Sequence, residues 1–282
     1  MVVVGGGFTG VEATGEMVEL FLDVARFFPN IRKSDIHIAL VEGGASLLAG
    51  LPPKMGVYAD RDLRRRGVDV VLADGVKSAD DSGLELISGR RIETKTIVWS
   101  AGVRVSPIVQ GTALPKTKRG AIITEPDMSV PGFPGVWAIG DCAAIPDGAG
   151  GTYPQTAQHA IREGPVLGEN IVAALRGGAT KPFKYSSLGM MASLGARKAV
   201  AQLPGDRVLT GFLAWFLWRS YYLSRLPGLE RKLRVAFDWT LELIFPRDIS
   251  ELRVYSSRAQ SSAADDAGIR PRAGNPTDHG TS

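Results

Sequence analysis

The sequence predicts an α/β fold that opens with a parallel sheet covered by helices. A β-branched run, Val2–Val4, leads into a glycine-rich turn and then into a long helical pattern. Further short apolar runs alternate with helical patterns over the first hundred residues, which is typical of βαβ units. Hydrophobic residues make up 44% of the 282 residues and charged residues 22%, as expected for a globular protein.

Hydrophobic periodicity predicts the order of the elements in this first region. Apolar residues recur near helical spacing from Val11 to Phe28, so a helix is predicted over residues 9–27. The other predicted elements are strands at 36–41, 68–72 and 96–99, a basic helix at 58–66 and a hairpin of 84–87 with 91–93.

Gly5, Gly7 and Gly10 form a Gly-x-Gly-x-x-Gly motif between the first strand and the first helix. In such a motif the first glycine takes the tight turn, the second lets a pyrophosphate approach the backbone, and the third allows close packing of helix and strand. The amino end of the helix offers N–H groups and a positive dipole to phosphate. We therefore predict that residues 1–102 form a Rossmann-like NAD(H)-binding domain. The alternative is a glycine turn with a purely structural role.

Glu42 ends the second predicted strand, where the hydroxyls of an adenosine ribose would lie. No arginine directly follows it to receive a 2′-phosphate, so NADH is favoured over NADPH. The alternative is a solvated carboxylate at a strand end.

The second region, residues 103–200, contains a predicted strand at 120–124 and a buried strand at 135–141 that ends in Gly140 and Asp141. An aspartate at this position is suited to accept a hydrogen bond from a polyol hydroxyl. A helix is predicted over 156–175, and the N–H groups of its first turn, around Ala157 and Gln158, are suited to face an electron-rich ring. The alternative for Gln158 and His159 is an ordinary solvated or capping turn.

Four motifs in this order resemble those of the type II NADH dehydrogenases, which are flavoproteins with two dinucleotide-binding domains. The motifs are Gly-Gly-Gly-Phe-Thr-Gly-Val-Glu at 5–12, Trp-Ser-Ala-Gly-Val at 99–103, Ala-Ile-Gly-Asp-Cys-Ala at 138–143 and Thr-Ala-Gln-His-Ala at 156–160. The resemblance covers roughly residues 1–250. It implies FAD and NADH as cofactors and a reaction in which electrons pass from NADH through FAD to a membrane quinone without proton pumping.

The resemblance also implies roles for individual residues. It implies that NADH is bound by Gly5, Gly6, Gly7, Thr9, Gly10, Glu42, Ala101 and Gly102. It implies that FAD is bound by Gly140, Asp141, Thr156, Ala157 and Gln158. Glu12 matches a glutamate near the nicotinamide and quinone, and becomes the candidate catalytic residue. Gln158 and Arg162 become quinone candidates, although Arg162 stands where the family has a second glutamine.

In that family an earlier glycine motif binds FAD, and the motif at residue 5 resembles the second, NADH-binding one. We therefore expect that the N-terminal FAD-binding segment is lacking, that residues 103–200 are the C-terminal part of the FAD-binding domain, and that FAD binding is impaired. The alternatives are an inactive fragment, a non-catalytic NADH-binding module docked on membranes, and an NAD(P)H-dependent flavin reductase with another acceptor.

Composition excludes several classes of function. Cys142 is the single cysteine, so the chain has neither an intramolecular disulfide nor a redox dithiol, which suits a reducing cytoplasm. The net charge of +4 is mild and accompanies no aromatic–basic motif, so no nucleic-acid partner is expected. No signal peptide is recognisable, no apolar stretch reaches the ~20 residues that span a bilayer, and no metal site is expected.

The C-terminal part, residues 201–255, is predicted to provide membrane-associating helices. An apolar stretch at 211–218 and an amphipathic run at 235–245 flank several arginines and tyrosines, a pattern typical of interfacial helices. The predicted location is therefore peripheral, on the cytoplasmic face of the cell membrane, or cytoplasmic if the chain does not dock. The alternatives are packing on the core and a homodimer interface. The Ser/Ala/Gly/Pro-rich residues 256–282 are predicted to be a disordered tail.

Overall fold

A computed structural model describes residues 1–187 and 189–245. The predicted disordered tail and the last ten residues of the predicted membrane-associating segment lie outside the described residues. The chain divides into two compact units, residues 1–227 and residues 228–282, and the elements of each are given separately.

The first hundred residues contain seven strands and two helices. In chain order they are β1 (Val2–Val4), α1 (Phe8–Val24), β2 (Ala39–Val41), α2 (Pro53–Arg65), β3 (Asp69–Val71), β4 (Val76–Asp80), β5 (Gly83–Leu86), β6 (Arg91–Glu93) and β7 (Ile97–Trp99). The predicted helix over 9–27 is divided, because its last turn, Ala25–Phe27, is a 3-10 turn.

The parallel sheet that the sequence predicts is confirmed. Its strand order is β3-β2-β1-β7, and all three pairings are parallel. Val3 pairs with Leu40 on one side and with Val98 on the other. Val3 and Leu40 are fully buried and pack in one cluster with Val11 of α1 and Leu63 of α2. Strand β2 pairs with β1 on one side and β7 pairs with it on the other, so the strand order reverses next to β1. The carboxyl ends of β1 and β7 therefore flank a topological switch point.

A small antiparallel sheet, β4-β5-β6, is inserted before β7. The predicted hairpin corresponds to β5 and β6, whereas β4 was not predicted. Leu84 and Leu86 of β5 are buried and pack against Val2 and Val4 of β1, so this sheet covers one face of the parallel sheet.

The second region has little regular structure before its long helix. It contains α3 (Pro107–Gln110), β8 (Ile122–Ile123), β9 (Ala143–Ala144) and α4 (Ala157–Leu175). The long helix agrees with its prediction to within one residue. The predicted strand at 135–141 is wrong. Gly140 has φ +67°, which breaks an extended chain, and Gly140–Cys142 form a 3-10 turn that leads into β9.

A three-stranded antiparallel sheet that was not predicted follows, and a helix completes the first unit. These elements are β10 (Met191–Gly195), β11 (Lys198–Leu203), β12 (Arg207–Gly211) and α5 (Phe212–Arg225). Strand β10 lies against α1 so closely that a Cβ on Gly15 would be 2.3 Å from the carbonyl oxygen of Leu194. Arg66 strengthens this contact by donating to the carbonyl oxygen of Gly15 at 2.6 Å and to that of Leu194.

The described part of the second unit is helix α6 (Leu229–Ile244), which has no buried residue. Leu229, Leu233, Phe237 and Leu241 repeat every four residues and form an exposed apolar stripe. Among the described residues, no helix is both long enough and apolar enough to cross a bilayer.

Candidate functional site

The glycine turn between β1 and α1 is crowded on one side and open on the other. Gly5 has φ +108°, and a Cβ on Gly10 would lie 1.7 Å from the carbonyl oxygen of Gly5, so both positions require glycine. A Cβ on Gly7 would meet no atom within 4 Å. Gly7 is the residue before α1, and no side chain caps the helix. The open side therefore combines room for a ligand with the N–H groups of a helix start, which is the arrangement that binds a pyrophosphate.

The carboxyl end of β7 forms the other side of this switch point. The hydroxyl of Ser100 donates to the carbonyl oxygens of Val4 at 2.8 Å and Gly5 at 3.3 Å, which joins the ends of the two strands. Ala101 and Gly102 follow and are exposed, and Gly102 has φ +105°. These two candidate residues thus border the same crevice as the glycine turn.

Glu42 braces the glycine turn at the end of β2. Its two carboxylate oxygens accept the backbone N–H groups of Gly6 at 2.5 Å and Gly44 at 2.6 Å. An ionised carboxylate can accept about four hydrogen bonds, so two acceptor sites remain for ribose hydroxyls. The contact with Gly6 is a second role for Glu42 that sequence reasoning missed.

Glu12 lies in the first turns of α1 and is half-buried against the C-terminal sheet. Its Oε1 accepts the backbone N–H of Ser193 in β10 at 2.9 Å. Burial raises the pKa of Glu12, and the nearby Glu16 raises it further, while the Ser193 hydrogen bond opposes both. A raised pKa favours the protonated form of the carboxyl group, and a carboxyl group in such a position can act as a general acid or base.

The turn at Gly140–Cys142 is held against the start of α4. Buried Glu163 accepts the N–H of Gly140 at 2.7 Å, and the side chain of Gln155 donates to the carbonyl oxygen of Asp141 at 2.6 Å. Burial raises the pKa of Glu163, and the neighbouring Asp141 carboxylate adds to this. The side chain of Asp141 is itself exposed at the surface of the turn. Sequence reasoning missed Glu163, although a glutamate on the inner face of a helix is a recognisable signal.

Among the described residues, no side chain caps the backbone N–H groups at the start of α4. Thr156 precedes the helix, but its hydroxyl bonds to Nδ1 of His159 at 2.7 Å and not to the backbone. The N–H groups of Ala157 and Gln158, together with the helix dipole, are therefore directed out of the helix start. Burial and the nearby Arg162 lower the pKa of His159, which keeps its ring neutral at physiological pH.

A cavity of about 530 Å³ adjoins this first turn. Its walls include Gln158 and His159 of α4, Leu51 from the loop after β2, Tyr185, and the hairpin between β11 and β12. Of the two candidate quinone residues, Gln158 lines the cavity, whereas the Arg162 guanidinium lies over the Tyr185 ring, 4.3 Å from its centroid. Tyr185 was not singled out from the sequence, because it lies in an irregular segment.

The profile of the pyridine nucleotide-disulphide oxidoreductases matches residues 1–164, which is more than half of the chain. The chain belongs to this family. The NDH2 C-terminal domain matches residues 188–248, so the sheet β10-β11-β12 and helix α5 fall within a domain of type II NADH dehydrogenases. The resemblance that the motifs indicated is thereby confirmed.

Curated relatives carry names that agree with this assignment. The chain is 34% identical over 252 residues to a probable NADH dehydrogenase of Dictyostelium discoideum, covering 88% of the chain and 55% of the relative. It is 31% identical over 257 residues to the type II NADH:quinone oxidoreductase Ndh of Mycobacterium tuberculosis, covering 87% and 54%. The chain thus spans about half the length of the curated relatives it matches.

Solved structures agree with the fold. NDH2 from Plasmodium falciparum in complex with NADH superposes with a TM-score of 0.79 at 17% identity, covering 89% of this chain and 66% of that one. The family name refers to disulphide chemistry, but this chain has a single cysteine, Cys142. Its thiol is half-buried and donates to the carbonyl oxygen of Ile139 at 3.2 Å. Cysteine-pair chemistry within the chain is therefore excluded.

Proposed function

We propose that this chain provides three parts of an FAD-dependent NADH:quinone oxidoreductase. They are the NADH site at the glycine turn, a flavin-facing turn at Gly140–Cys142 with the start of α4, and an acceptor cavity, which is the cavity beside Gln158. The observation that carries the proposal is the open side of the glycine turn at Gly7, at the switch point of a parallel sheet. The names of the curated relatives support the same activity.

NADH would be held along the carboxyl edge of the parallel sheet. The pyrophosphate would approach Gly7 and the N–H groups at the start of α1, near Thr9 and Gly10. Glu42 would accept the ribose hydroxyls, and its negative charge would repel the 2′-phosphate of NADPH. The exposed backbone at Ala101 and Gly102 would border the nicotinamide end.

The residues around the start of α4 fit the ring end of a flavin. Gly140 with its positive φ, exposed Asp141 and the uncapped N–H groups of Ala157 and Gln158 would bind the polyol chain and the electron-rich edge of the ring. Bound FAD would accept hydride from NADH and deliver electrons to the acceptor. The dipole of α4 would stabilise negative charge at its amino end.

Glu12 would handle a proton next to this site. Its carboxyl group is half-buried, its pKa is raised by burial, and its Oε1 is oriented by the N–H of Ser193. Replacing it with glutamine would keep an oxygen for the Ser193 N–H and remove the titrating group, so the Glu12→Gln chain would bind NADH normally but turn over more slowly.

The chain would retain FAD weakly. Residues 1–187 and 189–245 contain one strand–glycine–helix turn of the pyrophosphate-binding type, and this turn is assigned to the pyrophosphate of NADH. The flavin-facing turn would then bind the ring without the pyrophosphate contacts that supply much of the affinity. A flavin absorbance spectrum tests this directly, since stoichiometric flavin bands in the purified 282-residue protein would refute weak retention.

A membrane surface is the proposed place of action. On α5, Phe212, Leu213 and Phe216 are exposed, Leu213 by 67% and Phe216 by 60%, and Arg219 lies over Trp215. Apolar rings beside arginines suit the headgroup level of an anionic bilayer. A chain with Leu213→Ser and Phe216→Ser should sediment with anionic vesicles several-fold less than wild type. Ile108→Ser, which alters an apolar side chain that is 83% exposed on α3, should bind like wild type.

NADH oxidation by the purified chain, with FAD in excess and a soluble quinone, tests the activity. The proposal expects oxidation that requires the chain, FAD and quinone together. NADH binding and vesicle binding without electron transfer would favour the non-catalytic membrane-docked module. Turnover with dyes but not with quinone would favour a flavin reductase that uses another acceptor.

A further inference from the structure

Three side chains form a connected group beside the cavity at the start of α4. The hydroxyl of Tyr185 donates to Oε1 of Gln158 at 3.1 Å. The guanidinium of Arg162 donates to the backbone oxygen of Gln158 at 2.6 Å and stacks on the Tyr185 ring. The Tyr185 ring also meets the His159 ring edge-on, with centroids 5.1 Å apart.

These contacts determine which way the Gln158 amide faces. Its Nε2 donates to the carbonyl oxygen of Gly189 at 3.3 Å, and because a carbonyl can only accept, the NH₂ group must lie on that side. Oε1 then faces Tyr185, whose hydroxyl must act as the donor. The other N–H of Gln158 Nε2 has no hydrogen-bond partner among residues 1–187 and 189–245, and the side chain lines the cavity.

Tyr185 and Arg162 are features of this chain beyond the shared motifs. Residue 185 lies between the two matched family regions, which end at 164 and begin again at 188. Arg162 stands where the resemblance places a glutamine. A glutamine could not supply the planar cation that stacks on an aromatic ring.

We propose that Arg162 and Tyr185 are positioning residues that hold the Gln158 amide so that its remaining N–H is a donor for a carbonyl oxygen of the electron acceptor. Arg162 orients the Tyr185 ring, and the Tyr185 hydroxyl orients the amide. The inference rests on the proposed function of this cavity as the acceptor site. In it Arg162 does not bind the quinone directly but helps to orient the Gln158 amide, which does.

Calorimetric titration of the 282-residue chain with a soluble ubiquinone carrying one isoprene unit tests the inference. Tyr185→Phe keeps the ring and its stacking but removes the donor, so the ubiquinone Kd should rise about three- to tenfold, which corresponds to one neutral hydrogen bond. Arg162→Gln should raise it by a similar factor, and Arg162→Lys should give a smaller rise. The NADH Kd and the melting temperature should stay near the wild-type values.

Two further variants separate positioning from general damage. The double variant Tyr185→Phe with Arg162→Gln should bind ubiquinone no more weakly than the weaker single variant, because both act through one amide. Arg176→Gln, which alters an exposed arginine at the end of the same helix, should bind like wild type. Wild-type affinity in Tyr185→Phe and Arg162→Gln, or additive losses in the double variant, would overturn the positioning role and leave the proposed function standing. If the wild-type chain binds NADH but no ubiquinone, the acceptor cavity itself is refuted.

Discussion

Gly7 and Gly10 lie three residues apart in one motif, and alanine at each should have opposite effects on folding and binding. A Cβ on Gly10 would sit 1.7 Å from the carbonyl oxygen of Gly5, whereas an ordinary van der Waals contact of a Cβ with another heavy atom begins at 3.4 Å. Helix α1 would have to move away from β1 by more than an ångström. Overpacking of this kind costs about 1–3 kcal/mol, occasionally more, which the helix preference of alanine offsets by up to ~1 kcal/mol.

Alanine at Gly7 meets no such obstacle. Gly7 has φ −73°, which any residue adopts, and its Cβ would point into open space. The lower unfolded-chain entropy of alanine roughly offsets its weaker capping of α1, so the free energy of unfolding should change by less than ~1 kcal/mol. The same Cβ would occupy the space through which a pyrophosphate reaches the helix N–H groups. Losing one charge-assisted hydrogen bond of about 1.5–3 kcal/mol weakens NADH binding about ten- to hundredfold.

Thermal unfolding and calorimetric NADH titration of both variants provide the measurement. Gly10→Ala should melt several degrees below wild type, since ~1 kcal/mol shifts the melting temperature by about 2–4 °C in a chain of this size. Gly7→Ala should melt near wild type and bind NADH weakly. Wild-type NADH affinity in Gly7→Ala would refute the placement of the pyrophosphate, and an unchanged melting temperature in Gly10→Ala would refute the close packing.

Three further substitutions and one control variant test other contacts. Glu42→Gln turns one of two acceptor oxygens into a donor facing a backbone N–H, so urea unfolding should show a loss of about 1–3 kcal/mol, and competition binding should show less preference for NADH over NADPH. Gly15→Ala should lower the melting temperature by several degrees, because its Cβ would be 2.3 Å from the Leu194 carbonyl oxygen. Gly168→Ala on α4 is the control. Its Cβ would meet no atom within 4 Å, so the melting temperature should stay the same or rise. Burial raises the pKa of Glu163 in the folded chain above its ordinary 4.5. The group therefore stabilises the fold below pH 4.5, and this contribution is lost as the pH rises through the folded pKa. The Glu163→Gln chain should gain stability relative to wild type as the pH rises, and a constant difference from about pH 4 to 8 would contradict this.

The sequence predicts the first region well because its signals are local. The apolar strand Val2–Val4, the three glycines and the helical periodicity of α1 all lie within one short segment, and the parallel sheet follows from the repeated alternation of strand and helix. Helix α4 was located to within one residue for the same reason. The wrong strand at 135–141 in the second region and the missed strand β4 in the first both involve short apolar or mixed runs without a clear period.

The site is less predictable than the fold because its contacts join distant parts of the chain. Glu12 is bonded to Ser193, 181 residues away, and Glu163 is bonded to Gly140, 23 residues away. No local pattern indicates that β10 packs on α1 or that Tyr185 reaches Gln158. The sequence therefore identified most candidate residues by motif, while the partners that orient them became visible only in the folded chain.

A single-turnover experiment tests the central claim most directly. The purified chain, preincubated with FAD in excess, is mixed anaerobically with NADH and then with a soluble quinone while the flavin absorbance is followed. The account predicts that the chain accelerates flavin bleaching by NADH well above the rate for free FAD, that quinone restores the absorbance, and that Gly7→Ala slows the bleaching at limiting NADH. Bleaching no faster than that of free FAD, in a chain that binds both NADH and FAD, would contradict the account.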